Sequence, residues 1–160
     1  MTNPLLDTSG LPLFDRIAPE HVAPAMDELL AAAEKALDTV TAADFPSDWK
    51  AIAQNLDVIT EKLGMAWGAV SHLNSVADTP ELRAAYNAAL PRVTEFWTRL
   101  GSDERLYAKY KAIDAASLNA EQTQARKNAL RGFVLGGAEL QGEAKALLHD
   151  PKVRAAYLGE

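Results

Sequence analysis

Apolar residues recur at steps of three or four along most of the chain, the spacing that predicts amphipathic helices. The first stripe predicts a helix from about Pro19 to Val40, with Pro19 at its first position and Glu20 in its first turn. Its members are Val22, Met26, Leu29, Ala33, Leu37 and Val40. No segment shows the strict alternation of apolar and polar residues that indicates a strand. The pattern therefore predicts an all-α fold.

The second stripe predicts one long helix, capped by Ser47 and Asp48 at its start. Its members are Trp49, Ile52, Leu56, Ile59, Leu63, Trp67 and Val70. We expect it to pack antiparallel against the first helix, so Ile59→Ala should cost about 2–5 kcal/mol. Gly64 and Gly68 lie on a neighbouring face, where we expect another helix to approach closely.

Three further helices follow, of which the fourth helix of the chain is short. The third should begin at Thr79-Pro80, kink at Pro91 and end at Gly101. Its stripe is Leu82, Tyr86, Leu90, Val93, Trp97 and Leu100. Ser102 should cap the fourth helix, which runs through Ile113. A capping box of Asn119 and Gln122 should start the fifth helix, which runs to about Leu135 and is broken by Gly136-Gly137.

These signals predict a bundle of about five to six antiparallel helices, with a segment on either side of it. Residues 1–18 carry Pro4, Gly10 and Pro12, which predict an extended arm that packs on the body through its apolar residues. The bundle itself spans 19–137. Residues 138–160 form a helical tail that could have a different origin.

Composition excludes several classes of function. The chain of 160 residues has no cysteine, so thiolate metal sites and cysteine nucleophiles are excluded. Its net charge of -6 is spread along the chain, and without a basic stripe we expect no nucleic-acid partner. No apolar run approaches the ~20 residues that a membrane helix needs, and the start has no signal-peptide pattern. We expect a cytoplasmic protein.

No catalytic or metal-binding constellation is recognisable in the sequence. The commonest zinc hydrolase motif, H-E-x-x-H, needs a glutamate directly after its first histidine, and none of His21, His72 and His149 has one. A Gly-x-Ser-x-Gly nucleophile elbow is absent as well. Asp103 and Glu104 are better explained as a helix start than as an acid–base pair. We therefore assign no catalytic residue, no metal ligand and no cofactor to this chain.

One polar segment, Ser71 to Val76, has two interpretations. It could be a C-terminal cap, with Asn74 in a left-handed conformation and the histidine near the last carbonyls. It could instead form the rim of a substrate channel, with Ser71, His72, Asn74 and Ser75 as the contacting residues. Residues of these types usually bind nearby backbone, which favours the cap.

Several of these segments together resemble the thimet-oligopeptidase family of zinc metallopeptidases, in its oligopeptidase A group. They include Asn3-Pro4-Leu5-Leu6, the arm residues Leu11 to Phe14, and SHLNSVADTPELRAAYNAALP from Ser71 to Pro91. LYAKY from Leu106 to Tyr110 and KNALRGFVLGGAELQGEAKA from Lys127 to Ala146 continue the match. The resemblance runs in order through about residues 3–146.

The resemblance implies a largely helical protein in which the N-terminal helices form part of one wall of a deep channel. In such a family the zinc lies at the channel floor, bound by an H-E-x-x-H helix and a later glutamate, and short peptides are degraded there. None of these ligands falls in the matched region, so the chain alone is expected to be inactive. Its partners would be the catalytic part of an oligopeptidase, or short peptides.

The tail departs from this pattern. Residues Leu147 to Glu160 resemble the C-terminal end of branched-chain amino acid ABC transporter ATPases, without their nucleotide-binding motifs. Two hypotheses remain: a non-catalytic wall domain or fragment of a zinc oligopeptidase, or a stand-alone helical module that binds peptides or a partner. A wall domain should expose apolar surface and self-associate. Expected contributors are Phe96 beside Trp97, Phe133 beside Val134, Leu147 and Leu148.

Overall fold

The computed structural model describes residues 3–137, and within them every regular element is helical. Six α-helices are present: α1 (Pro19–Thr41), α2 (Trp49–Ile52), α3 (Val58–Val76), α4 (Pro80–Ser102), α5 (Glu104–Ala112) and α6 (Ala120–Leu135). A π-helical segment, Ala53–Asp57, joins α2 to α3 without a break. Short 3₁₀ turns lie at Pro4–Leu6, Phe14–Arg16 and Ala115–Ser117. The predicted all-α class is confirmed, whereas the predicted tail lies outside the described residues.

The described residues divide into two compact units. The first contains residues 3–45 and 50–97, and so holds the arm, α1, α3 and most of α4. The second contains residues 46–49 and 98–137, and so holds α5 and α6. The three-part division predicted from the sequence stays a prediction.

Helix α1 provides the central face of the first unit. All six residues of its predicted stripe are buried, from Val22 to Val40. It packs on α3, and the N-terminal arm touches both helices. The Asn3 side-chain amide donates to the carbonyl of His21 at the start of α1, at 2.8 Å. The same arm lies beside Met65, Ala66 and Ala69 in the middle of α3. The antiparallel packing of α1 and α3 stays a prediction.

The long second helix differs from the prediction at its π-helical segment. A π turn bonds each residue to the fifth one along the chain rather than the fourth, so a stripe with helical spacing loses register there. After the segment, the buried residues are Thr60, Leu63, Ala66, Ala69 and Val70. Ile59 and Trp67, both expected in the core, are only half-buried. The buried face of α3 is thus turned away from Trp67.

The expectation for Gly64 and Gly68 is wrong. Both glycines are exposed, and a methyl group placed on either would meet no atom within 4 Å. A close glycine contact does occur in the second unit. A methyl group on Gly136 would lie 2.5 Å from the carbonyl oxygen of Gly101, so no larger residue fits at Gly136 without movement of the backbone.

Helix α4 is also turned relative to its predicted stripe. Its buried residues are Leu82, Ala89, Val93 and Phe96. Leu90 and Trp97, expected in the core, each remain 36% exposed. The opposite error concerns Phe96, which was expected at the surface and is 1% exposed. Leu82 and Val93 of the predicted stripe are buried as expected, but Ala89 and Phe96 take the core positions predicted for Leu90 and Trp97.

The second unit is built around Phe133 of α6. This residue was expected at the surface, but it is buried against the rings of Tyr107 and Tyr110, with centroids 5.7 and 5.8 Å away. Arg126 of α6 donates to the carbonyl oxygens of Tyr110 and Lys111, which stabilises the C-terminal end of α5. Leu147 and Leu148 lie outside the described residues.

The predicted caps of the later helices are mostly confirmed. Asn119 and Gln122 form the expected capping box, with bonds of 2.8 and 3.0 Å between side chain and backbone. Gly136 ends α6, and Gly137 follows with a φ of 91°, which favours glycine. At α5 the cap is Asp103 rather than the expected Ser102, which instead belongs to the last turn of α4.

Candidate functional site

The polar segment Ser71 to Val76 is helical rather than a loop. It forms the last turns of α3, and the amide of Ala77 closes the helix by donating to the carbonyl of Leu73 at 2.8 Å. No described residue other than glycine has a positive φ, so the left-handed cap expected at Asn74 is wrong. The four candidate rim residues are therefore fixed on a helix, and helical geometry decides which of them can act together.

Ser71 and Asn74 lie on the same side of α3 as Trp67. These residues are spaced by four and three, which places them on neighbouring positions of one face. Trp67 in turn stacks on Tyr86 of α4, with ring centroids 4.8 Å apart and planes inclined by 7°. Both aromatic rings are half-buried. This side of α3 therefore combines an aromatic stack with two polar side chains.

Asn74 is the most unusual polar group of this face. Its Oδ1 atom is buried and has no hydrogen-bond partner among the described residues. A buried amide oxygen without a partner is costly, and such atoms call for an explanation in a native structure.

The other two candidates point elsewhere. His72 is exposed and lies about half a turn away from Asn74, because two residues turn the helix by about 200°. Its ring instead lies 5.3 Å from that of Phe14 in the arm. Ser75 is exposed, and its hydroxyl donates to the carbonyl of Ser71 at 2.9 Å. One ligand thus cannot contact all four residues at the same time.

His21 has a structural role that the sequence reasoning missed. It occupies the third position of α1, and its Nδ1 accepts a hydrogen bond from the amide of Ala18 at 3.0 Å. The side chain thus satisfies a backbone donor at the helix start, as a glutamate does in an ordinary capping box. The sequence carries a signal for this role, because His21 follows the cap residue Ala18 by three positions, the spacing of a capping box.

A zinc site does not fit the described part of the chain. Zinc requires three or four converging nitrogen, oxygen or sulfur ligands. Between residues 3 and 137 no group of three histidine, aspartate or glutamate side chains is close enough to hold a metal ion. His149, the third histidine, lies outside these residues.

The acidic residues with altered pKa values are explained by local structure. Partial burial by itself would raise the pKa of Asp103. Hydrogen bonds from the side chain of Arg105 and the amide of Leu106, together with the charge of Arg105, nevertheless lower it. Asp103 accepts from the amides of Arg105 and Leu106 at 2.9 and 3.0 Å, so it caps α5. Asp57, in the π-helical segment, has a pKa raised by desolvation.

Exposed apolar residues form a second feature beside the polar face. Tyr86, Leu90 and Trp97 follow one edge of α4, at steps of four and seven residues. Such steps place them on one side of the helix, over about 16 Å of its length.

Among the helices that the structure describes, none is long and apolar enough to span a bilayer.

Known proteins match this chain over nearly its whole length. The family model described as "Neurolysin/Thimet oligopeptidase, N-terminal domain" matches residues 26–145. Oligopeptidase A of Salmonella typhimurium is 40% identical over 163 aligned residues, which cover 99% of this chain and 24% of that protein. Oligopeptidase A of Escherichia coli is 39% identical over the same shares of both chains. The "Probable cytosolic oligopeptidase A" of Arabidopsis thaliana is 34% identical, over 90% of this chain and 21% of that protein.

The alignments fix how much of a relative this chain represents. The chain spans about a quarter of the length of these relatives. The similarity of residues 147–160 to transporter ATPases stays a prediction. A family model that covers most of the chain, together with relatives aligned end to end with it, supports one conclusion: this chain belongs to the neurolysin/thimet oligopeptidase family, of which it carries the N-terminal domain.

Proposed function

We propose that this chain is a non-catalytic wall domain of a zinc oligopeptidase that degrades short peptides. The match of an N-terminal domain model to residues 26–145 carries the proposal, together with relatives of about four times the length. In this account the zinc and its ligands belong to the catalytic part, outside the matched region. The domain contributes shape and contacts to the channel, and the chemistry is done elsewhere.

The peptide-facing surface in this proposal is the end of α3. Ser71, His72, Asn74 and Ser75 form its rim, with Asn74 as the principal contact. A change of side-chain rotamer would bring its buried Oδ1 to the surface, where it could accept an N–H from an extended peptide, whose backbone presents one donor at nearly every residue. His72 would act separately, on the arm side of the rim.

A cytoplasmic location is part of the same proposal. It is supported by the name of the Arabidopsis thaliana relative, "Probable cytosolic oligopeptidase A". The family also includes a relative named "Organellar oligopeptidase A, chloroplastic/mitochondrial", so location varies among these proteins.

The test is metal analysis and a peptidase assay on the purified chain. The proposal expects no stoichiometric zinc and no cleavage of a short fluorogenic peptide. About one zinc per chain, with cleavage abolished by a chelator, would show a complete hydrolase and overturn the proposal.

The rim is tested separately by Asn74→Leu and Asn74→Asp. If Asn74 accepts from the peptide backbone, Asn74→Leu should raise KM in an oligopeptidase that contains this domain, by about tenfold or more for a lost buried hydrogen bond. Asn74→Asp keeps the acceptor and should restore much of the affinity. Equal KM values for all three proteins would remove Asn74 from the site.

A further inference from the structure

A line of large apolar side chains runs along the outer edge of α4 and continues onto α3. It consists of Tyr86, Leu90 and Trp97, with Trp67 stacked on Tyr86. We call these four residues the apolar ridge. Leu90 and Trp97 each keep 36% of their surface exposed, and the two stacked rings are half-buried.

The ridge is distinct from the core face of the same helix. The core face consists of four buried residues: Leu82, Ala89, Val93 and Phe96. The ring of Phe96 contacts that of Trp97, with centroids 5.5 Å apart. Trp97 therefore rests on a filled core and turns its other side outward. Tightening of the fold alone cannot bury the ridge, because the space beneath it is already occupied.

The chemistry of the ridge favours an apolar protein partner. Single exposed apolar residues are ordinary, but several large ones along one edge of a helix indicate a contact site. Tryptophan and tyrosine are also the residues that most often dominate binding energy at interfaces. The charged residue one turn before the stack, Arg83, already pairs with Asp78. The partner therefore needs shape and apolar surface rather than acidic groups.

The lengths of the relatives point to one partner for the apolar ridge. About three quarters of the Salmonella typhimurium protein lies outside the segment that aligns with this chain. Building on the proposed function, we infer that the apolar ridge is the docking surface for the catalytic part of the oligopeptidase. Trp97 and Leu90 are its central contacts, and the Trp67–Tyr86 stack extends it onto α3.

The experiment uses a full-length chimera. This chain replaces its aligned segment in oligopeptidase A of Salmonella typhimurium, with a cleavage site for a specific protease placed at the seam. The chimera is folded as one chain, cut at the seam and run on a sizing column. Ridge variants Leu90→Asp and Trp97→Ala are compared with Val58→Asp. Val58 is a matched control, because it is 49% exposed and lies nine residues before Trp67, on the opposite side of α3.

The inference expects the two parts to stay together after cutting, in the parent and in Val58→Asp. Each ridge variant should weaken their affinity at least about 30-fold, the factor that corresponds to a hot spot of 2 kcal/mol. In the isolated chain, the same ridge variants should lower the unfolding temperature only slightly, because these side chains lie outside the buried core.

Other outcomes overturn the inference. Equal retention of the parts in ridge and control variants, or separation of the parent parts, would place the docking surface elsewhere. If the ridge variants strongly lower the unfolding temperature of the isolated chain, the ridge is already covered by other parts of the same chain. If the chimera forms a dimer and the ridge variants convert it to a monomer, the ridge binds a second copy of the protein instead. A chimera that folds but does not cleave peptides counts against the proposed function, while the retention assay still tests the ridge.

Discussion

Helix α1 and the α3–α4 hairpin carry apolar stripes of similar spacing, yet the structure uses them differently. In α1 every residue of the stripe is buried. In α3 and α4 the aromatic members of the stripes, Trp67, Tyr86 and Trp97, lie at the edge of the buried face. Residues outside the predicted stripes are buried instead: Ala66 and Ala69 in α3, and Ala89 and Phe96 in α4. An apolar stripe can thus serve two surfaces, the core and an outer ridge, and spacing alone does not separate them.

The largest expected effect distinguishes the two surfaces directly. Leu37 of α1 and Leu63 of α3 are fully buried, so Leu37→Ala and Leu63→Ala should each cost about 2–5 kcal/mol in urea unfolding. Leu90→Ala on the ridge should cost only ~0.5 kcal/mol, as surface substitutions do. If Leu90→Ala costs as much as Leu63→Ala, the distinction between core and ridge is wrong.

Ile59 lies between these extremes. The sequence stripe predicts a full core loss of about 2–5 kcal/mol for Ile59→Ala, but the side chain is only half-buried beside the π-helical segment. The structure therefore predicts about 1–2 kcal/mol, since the loss scales with the apolar area removed from water. Denaturant melts of Ile59→Ala and Leu63→Ala, measured side by side, check the order. A larger loss for Ile59 would support the sequence stripe.

A pair of buried threonines sharpens the comparison at the π-helical segment. Thr60 donates to the carbonyls of Leu56 and Asp57, both at 3.1 Å, and Thr41, the last residue of α1, donates to those of Leu37 and Asp38 at 2.8 and 3.4 Å. The hydroxyl of Thr60 is shared equally between two carbonyls where the helix changes its bonding pattern, whereas that of Thr41 bonds mainly to one carbonyl. Thr60→Val should therefore cost about 1 kcal/mol, and Thr41→Val less. Equal costs would remove any special role for Thr60.

The smallest effect is a pH dependence at Asp57. Desolvation raises its pKa in the folded state above the ordinary 3.8, so the ionised carboxylate destabilises the fold. Stability from this group is lost as pH rises from 3.8 through the raised pKa. Asp57→Asn should be slightly more stable than the parent at pH 7 and equal to it below about pH 3.8.

Asp103→Asn is the matched control with the opposite sign. The pKa of Asp103 is lowered, so its contribution is present above the ordinary value and is lost as pH falls through the lowered one. Asp103→Asn should be less stable than the parent at pH 7, and the two should converge in acid. If thermal melts at pH 7 show that both variants change stability in the same direction, the causes assigned to the two pKa shifts are wrong.

Regular helices with local caps could be predicted from the sequence. The start of α1 at Pro19 and the capping box of α6 depend on residues within one turn, so neighbouring positions carry the whole signal. The π-helical segment has no such local signature. Whether Phe96 or Trp97 faces the core depends on which helix packs beside α4, which is a tertiary property.

The candidate site was only partly accessible to the same reasoning. The sequence indicated a polar segment at the end of α3, but helical spacing separates His72 from Asn74 and brings Ser71 and Asn74 beside Trp67. The unsatisfied Oδ1 of Asn74 and the Trp67–Tyr86 stack depend on contacts between α3 and α4, which no local pattern reveals.

The central claim is that this chain supplies a wall and no catalytic groups. The most direct measurement is kcat/KM for a short fluorogenic peptide, on the isolated chain and on the uncut chimera with the Salmonella typhimurium relative. The account predicts no cleavage by the isolated chain and zinc-dependent cleavage by the chimera. Cleavage by the isolated chain, or a folded and zinc-loaded chimera without activity, would contradict it.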